Sequence, residues 1–264
     1  MAHWEKDNKK NIKPIKEYDT FERKNVIEHD SCDIKDSIEK AKEYLLKYKD
    51  IGMNSVLADK YITIGNFEEA NKHLDIVEDF LENNPKVENK NWLNVLKTDY
   101  ARIRYRYYCS SSNFEEALKF FGDYSDLIIK DYDALSIAKA YIFNELGMGI
   151  PNDLKLHYKY QQLANYSFEK FKNHIKSHIV DSEDIENPEL NGDSHFYLEF
   201  PLDNILDEIK TKFNNFEKCY VGYVNNAYIF KYNNCGVVQN QSTDYFVLIT
   251  FLNGNFITMY PTRR

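Results

Sequence analysis

The sequence predicts a multi-domain chain, an N-terminal α-solenoid of helix pairs followed by a C-terminal α+β domain in which an antiparallel sheet packs on a helix. Three observations predict it. Between residues 35 and 178 apolar residues recur mostly three and four apart, as in Ile38-Ala41-Tyr44-Leu45 and Leu74-Val77-Phe80-Leu81, the spacing of helices that bury one face. Within that stretch one string occurs twice, Gly65-Asn66-Phe67-Glu68-Glu69-Ala70 and Ser112-Asn113-Phe114-Glu115-Glu116-Ala117. From residue 195 the chain reads as strand, helix and β meander, with Asn253-Gly254 as a tight-turn signal.

The elements follow in order. Residues 1–34 are polar and mixed in charge, with Pro14 breaking any early helix, and read as an arm. In each copy of the repeated string, Asn66 or Asn113 can cap the helix that follows, the glutamates complement its N-terminal dipole, and Ala70 or Ala117 lets a paired helix approach. A further helix runs through Ala134-Leu135-Ser136-Ile137-Ala138-Lys139-Ala140-Tyr141, a turn falls at Gly147-Met148-Gly149-Ile150-Pro151, and a last helix spans Leu154 to about His178. Residues 179–194 form an acidic linker containing Pro188 and Gly192. Beyond it we expect strands at 195–200, 219–224, 227–232, 244–252 and 255–261, a helix at 202–216, and tight turns at Asn225-Asn226 and Asn253-Gly254.

Composition narrows the function classes. Of 264 residues, 43% are hydrophobic and 15% aromatic, which excludes wholesale disorder. No apolar run approaches the roughly 20 residues of a membrane helix, and the start is polar, so a cytoplasmic protein without membrane contact is expected. Net charge is −8, which argues against general coating of nucleic acid. From residue 191 onward, however, six Lys or Arg stand against seven Asp or Glu, so the C-terminal domain is near neutral. Cys32, Cys109, Cys219 and Cys235 form no C-x₂₋₄-C pair and read as reduced thiols. His174 and His178, followed by Asp181, Glu183 and Asp184, could surround a metal. No HExxH pattern supports that, so they read as a solvated helix face, and neither metal nor cofactor is expected.

The doubled string resembles the tetratricopeptide repeat, a turn followed by Phe-Glu-Glu-Ala, although the copies are 47 residues apart instead of roughly 34. The resemblance implies that the first helix of each pair lines a groove. Tyr105 and the arginines Arg102 and Arg106, one helical turn apart, would then meet a protein or peptide partner there, gripping a carboxylate or phosphate.

At the C-terminus, a two-residue turn at Asn253-Gly254 pairs Ile249 with Thr258, Val247 with Tyr260 and Tyr245 with Thr262. Phe246, Leu248, Ile257 and Met259 then share the face toward the 202–216 helix. The opposite face ends in Tyr245, Thr258, Tyr260 and Thr262, with Arg263 and Arg264 beyond. Gly254-Asn255-Phe256-Ile257-Thr258-Met259-Tyr260-Pro261-Thr262 resembles the final strand of bacterial ribonuclease toxin domains of the barnase, EndoU, colicin and RelE type. The resemblance implies RNA cut without metal by a 2′-hydroxyl attacking the adjacent phosphate, and an inhibitor protein as a further partner. That chemistry needs a proton acceptor, a proton donor and cationic or hydroxyl groups on phosphate. His195, the one histidine of this domain, is the acid/base candidate, Thr258 and Arg263 the phosphate ligands, and Tyr245, Tyr260, Thr262 and Lys231 (opposite Tyr220) the substrate-binding set. Two readings follow: a toxin-like endoribonuclease carried on a partner-binding helical domain, or a non-enzymatic adaptor using the helical groove.

Overall fold

The computed structural model describes residues 28–29, 33–83, 89–128, 132–150, 158–180 and 194–264. Helices α1 (Ile34–Tyr48), α2 (Gly52–Thr63), α3 (Phe67–Asn83), α4 (Lys90–Ser110), α5 (Phe114–Ile128), α6 (Tyr132–Glu145), α7 (Tyr158–Ala164) and α8 (Phe168–Lys176) make the first part. The sheet comprises β1 (Glu28–His29), β2 (Ile179–Val180), β3 (Ser194–Tyr197), β4 (Tyr220–Val221), β5 (Asn225–Val238), β6 (Gln241–Phe251) and β7 (Phe256–Thr262), with α9 (Leu202–Lys212) between β3 and β4. Among the described residues no helix is long and apolar enough to cross a membrane.

The two copies of the repeated string make the same turn. Gly65 and Ser112 both take the left-handed conformation, at φ 76° and 60°, and the next amide donates back five residues, Asn66 to Tyr61 (2.9 Å) and Asn113 to Tyr108 (2.8 Å). Asn66 caps α3 by accepting from the Glu69 amide. Ala70 and Ala117 are fully buried, as close helix packing requires. Helices α3 and α4 are further tied by Arg104, whose buried guanidinium donates to Asn71, Asp75 and Glu78.

The strands run β2-β3-β5-β6-β7, and β1 and β4 also pair with β5. All pairs are antiparallel except β2 with β3. The linker expected at 179–194 therefore begins as a strand, and its residues 181–193 lie outside the described ones. Asn225 and Asn226 open β5 and are not a turn. The turn is at 222–224, where a Cβ on Gly222 would overlap the Asn225 side chain and the Gly222 amide donates to Asn225 O (2.7 Å). A hairpin the sequence reading did not place joins β5 to β6 through Gln239-Asn240, both at positive φ (49° and 60°), the twist-matched two-residue turn of a hairpin.

The β6–β7 register is as expected from Tyr245–Thr262 through Ile249–Thr258, but Thr250 then faces Phe256. The cause is the turn, which has three residues and carries Gly254 at φ 89°, the geometry that introduces a bulge. Ile257 is thereby turned out of the set with Phe246, Leu248 and Met259, and Phe256 takes its place.

Two cores result. One holds the apolar faces of α1 to α7 together with Val221, Val224, Phe251 and Ile257 of the sheet. Phe251 stacks on Tyr141 and Tyr223 meets Tyr105, each pair with ring centres 5.5 Å apart. The second lies under α9, where Ile205, Leu206 and Ile209 meet Phe230, Phe246 and Met259, and Phe171 and Ile175 of α8 join them. Cys109 and Cys235 are buried free thiols. Cys219 is disulfide-bonded, which corrects the expectation of a reduced thiol at that position.

Candidate active site

The site begins with α8. Ser167 caps it by accepting from the Lys170 amide. Phe171 and Ile175 fix one face of the helix in the second core. His174 and His178 then follow each other by one turn along a neighbouring face, half-buried. The helix stops at Ser177, whose hydroxyl donates to His174 O (2.6 Å), and the chain enters β2. Because β2 runs parallel to β3, with Ile179 opposite Phe196, His178 arrives beside His195. The Phe196 amide donates to His178 O (3.1 Å) and locks that step.

Three imidazoles therefore stand in a row. The His174 and His178 rings are 4.9 Å apart between centres, and those of His178 and His195 6.3 Å. His195 is 7% exposed, and both of its ring nitrogens are enclosed without a hydrogen-bond partner among the described residues. Burial, with the neighbouring His178 as a smaller cause, holds the His174 imidazole below its usual range. Lys172 and Lys176 of the same helix are taken up by Asp203 of α9, at 3.1 and 3.2 Å, and the hydrogen bond from Lys172 keeps that carboxyl low. A neutral imidazole beside a second one can accept a proton while its neighbour donates one.

Arg263 reaches the same end of the sheet. Its Nη2 donates to Val238 O (2.7 Å), and Val238 pairs with Ser194, the residue before His195. Thr258 is elsewhere. It pairs with Ile249 next to the bulge, four residues and on the order of 13 Å along β7 from Thr262. No hydrogen bond or ion pair among the described residues joins His195, Thr258 and Arg263. Lys231, Tyr245 and Thr262 lie across the sheet in one row, with Tyr260 diagonal to Tyr245 on the same face and 40% exposed. Lys231 is opposite Tyr245 and Glu28, not Tyr220, which pairs with Ala227.

The helical candidates are separated. Arg106 is 6% exposed; it pairs with Asp59 of α2 and lies under the Tyr220 ring, 5.0 Å from its centre. Tyr105 is fully buried between Phe121 and Tyr223. Arg102 stays half exposed with Asp99 at 3.7 Å. The turns of the sheet cover this face of α4, so Arg102 and Arg106 share no open surface.

The sequence reading had all three histidines in view but held His174 and His178 apart from His195. The missing link is the parallel β2–β3 pair. The depressed imidazoles also predict a pH response. His174, and His73, likewise lowered by burial, stay neutral in the fold at pH values where the unfolded chain, with a pKa of about 6.5, takes up protons. Stability is then complete above about pH 6.5 and falls as the solution is acidified through the folded-state values. Asp203 acts in a separate window, lower than the ordinary carboxylate value of about 3.9. The melting temperature should drop as the pH falls below about 6.5, and His174→Gln with His73→Gln should flatten that drop. An unchanged slope in the double variant would contradict this assignment.

Compared with protein-family models, with curated proteins and with solved structures, the chain matches none.

Proposed function

We propose that this chain is an endoribonuclease that needs no metal, with the histidine row supplying its acid and base. The observation that carries the reading is the contact series His174–His178–His195 at the junction of α8 and β3. In the proposed reaction His174, held neutral by burial, takes the proton of a ribose 2′-hydroxyl. The oxygen attacks the adjacent phosphorus, the bond to the 5′-oxygen breaks, and His178 gives that oxygen a proton. The products are a 2′,3′-cyclic phosphate and a 5′-hydroxyl. Arg263, anchored beside β3, neutralises the phosphate as charge builds. His195, whose nitrogens are enclosed, is a positioning residue behind His178 in this scheme.

The helical part is, in our reading, an irregular tetratricopeptide-like array, supported by the shared turn geometry of its two copies. The adaptor alternative has less support, because Arg106 and Tyr105 are covered by the chain's own sheet. The test is incubation of the full chain with a synthetic RNA and its all-deoxy counterpart in EDTA. Cleavage of the RNA alone, leaving cyclic phosphate ends, is expected; cleavage of both strands, or of neither, would sink the proposal.

A further inference from the structure

We infer that the substrate is single-stranded RNA laid along β7, with bases stacked on Tyr260 and Tyr245 and a phosphate held by Arg263. The identity of the bound molecule rests on the ribonuclease reading above; the surface itself does not.

Phe230, Phe246 and Met259 belong to the core under α9, so the residues that alternate with them point to the opposite face of the sheet. On that face Tyr245 stands opposite Thr262, Val247 opposite Tyr260 and Ile249 opposite Thr258. Strand β7 therefore presents Thr258, Tyr260 and Thr262 in line, with Tyr245 diagonal to Tyr260 and close enough for the two rings to act together. The helices cover one end of the face, where Ile249 and Phe251 join their core. Toward the other end Tyr260 is 40% exposed.

Two properties of the open end suit an unpaired RNA strand. The first is its rings. Aromatic side chains elsewhere pack on one another, as in the Phe196–Phe200 and Phe120–Tyr124 stacks. Tyr245 and Tyr260 touch no other ring among the described residues. Neighbouring rings on a sheet that leave their faces to solvent are a platform for successive bases. The second is charge. Residues 256–264 include Arg263 and Arg264 and no Asp or Glu. Arg263 is exposed; its Nη2 donates to Val238 O (2.7 Å), and the rest of the guanidinium is in reach of a phosphate. Because Val238 pairs with Ser194, a strand that follows β7 past Thr262 arrives beside His195 and the histidine row.

A duplex does not suit the same face. Its bases are stacked on each other, and side chains cannot read its deep, narrow major groove, whereas the bases of a single strand splay out onto aromatic rings. Stacking accepts every base, so this face selects for an unpaired strand and not for a sequence.

The experiment is fluorescence anisotropy with the full chain and a labelled 2′-O-methyl RNA, which offers no 2′-hydroxyl to attack, as a non-pairing single strand and as a duplex with its complement. The single strand should bind about tenfold or more tightly than the duplex, and Tyr260→Thr should lose about tenfold or more of that affinity. Threonine keeps a strand-forming side chain, and far-UV circular dichroism confirms the fold of each variant. Tyr260→Phe, which retains the ring, should stay within about twofold of the wild type. Arg263→Gln should reduce the slope of log K against log salt by about 0.7, the share of one phosphate contact on a single strand. Equal binding of duplex and single strand, wild-type affinity in Tyr260→Thr, or a chain that binds neither RNA overturns the inference. Cleavage of the all-ribo strand separates this result from the reading beneath it. A chain that binds through Tyr260 but cuts nothing overturns the ribonuclease reading and leaves the stacking face. A chain that cuts RNA with the same KM in Tyr260→Thr as in the wild type overturns the face and leaves the reading.

Discussion

On the proposed function, replacing His178 by glutamine should lower the rate of RNA cleavage by about 10²–10⁴-fold, the usual worth of a positioned proton donor or acceptor. His178 is the middle member of the row, in ring contact with both His174 and His195. Its removal therefore takes away one reacting group and breaks the path to the third imidazole. Glutamine keeps the approximate volume and a hydrogen-bonding end, and residue 178 is half-buried, so the fold should survive. If His174 and His178 act as the proposed acid–base unit, the double variant should be little slower than either single one. Initial rates on a fluorescent RNA in EDTA, with circular dichroism beside them, give the answer. A His178→Gln rate within about twofold of the wild type would show that the row is not the site of proton transfer.

Phe251→Ala should cost about 3–5 kcal/mol of stability, as for large aromatic truncations in cores. Phe251 belongs to β6 by sequence but to the helical core by packing. It is fully buried and stacks on Tyr141 of α6 at 5.5 Å between ring centres. The substitution therefore opens a cavity at the joint between helices and sheet rather than inside either. Urea unfolding read by tyrosine fluorescence and by circular dichroism checks this. A loss under about 1 kcal/mol would mean that the site collapses around the smaller side chain and that the joint is loosely packed.

Local chemistry made much of the fold legible. The repeated Asn-Phe-Glu-Glu-Ala string marked both helix starts because it encodes a turn, a cap and a close-packing alanine within six residues. The β6–β7 pairing was legible from Asn253-Gly254 and two alternating strands. The bulge at Ile257 was not, since it depends on whether the turn closes over two residues or three, and Gly254 permits both. Gln239-Asn240 lacks glycine, the residue that most often announces positive φ at both turn positions. The candidate site was legible only in pieces. His174 and His178 showed themselves by their spacing and His195 by being alone in its domain. What joins them is a two-residue parallel pairing between Ile179-Val180 and Phe196-Tyr197, too short to leave a periodic signal. Arg106 misled for a related reason. Its spacing from Arg102 is a property of one helix, whereas its burial comes from Tyr220, 114 positions along the chain.

The central claim is that the histidine row acts on the 2′-hydroxyl of RNA without a metal. It is tested most directly with an oligodeoxynucleotide that carries a single ribonucleotide, incubated with the full chain in EDTA and resolved by mass. The claim predicts one cut, on the 3′ side of the ribonucleotide, with a 2′,3′-cyclic phosphate on one fragment and a 5′-hydroxyl on the other, lost in His174→Gln and His178→Gln. An uncut strand, cuts at deoxy positions, or a cut that appears only with Mg²⁺ would contradict it.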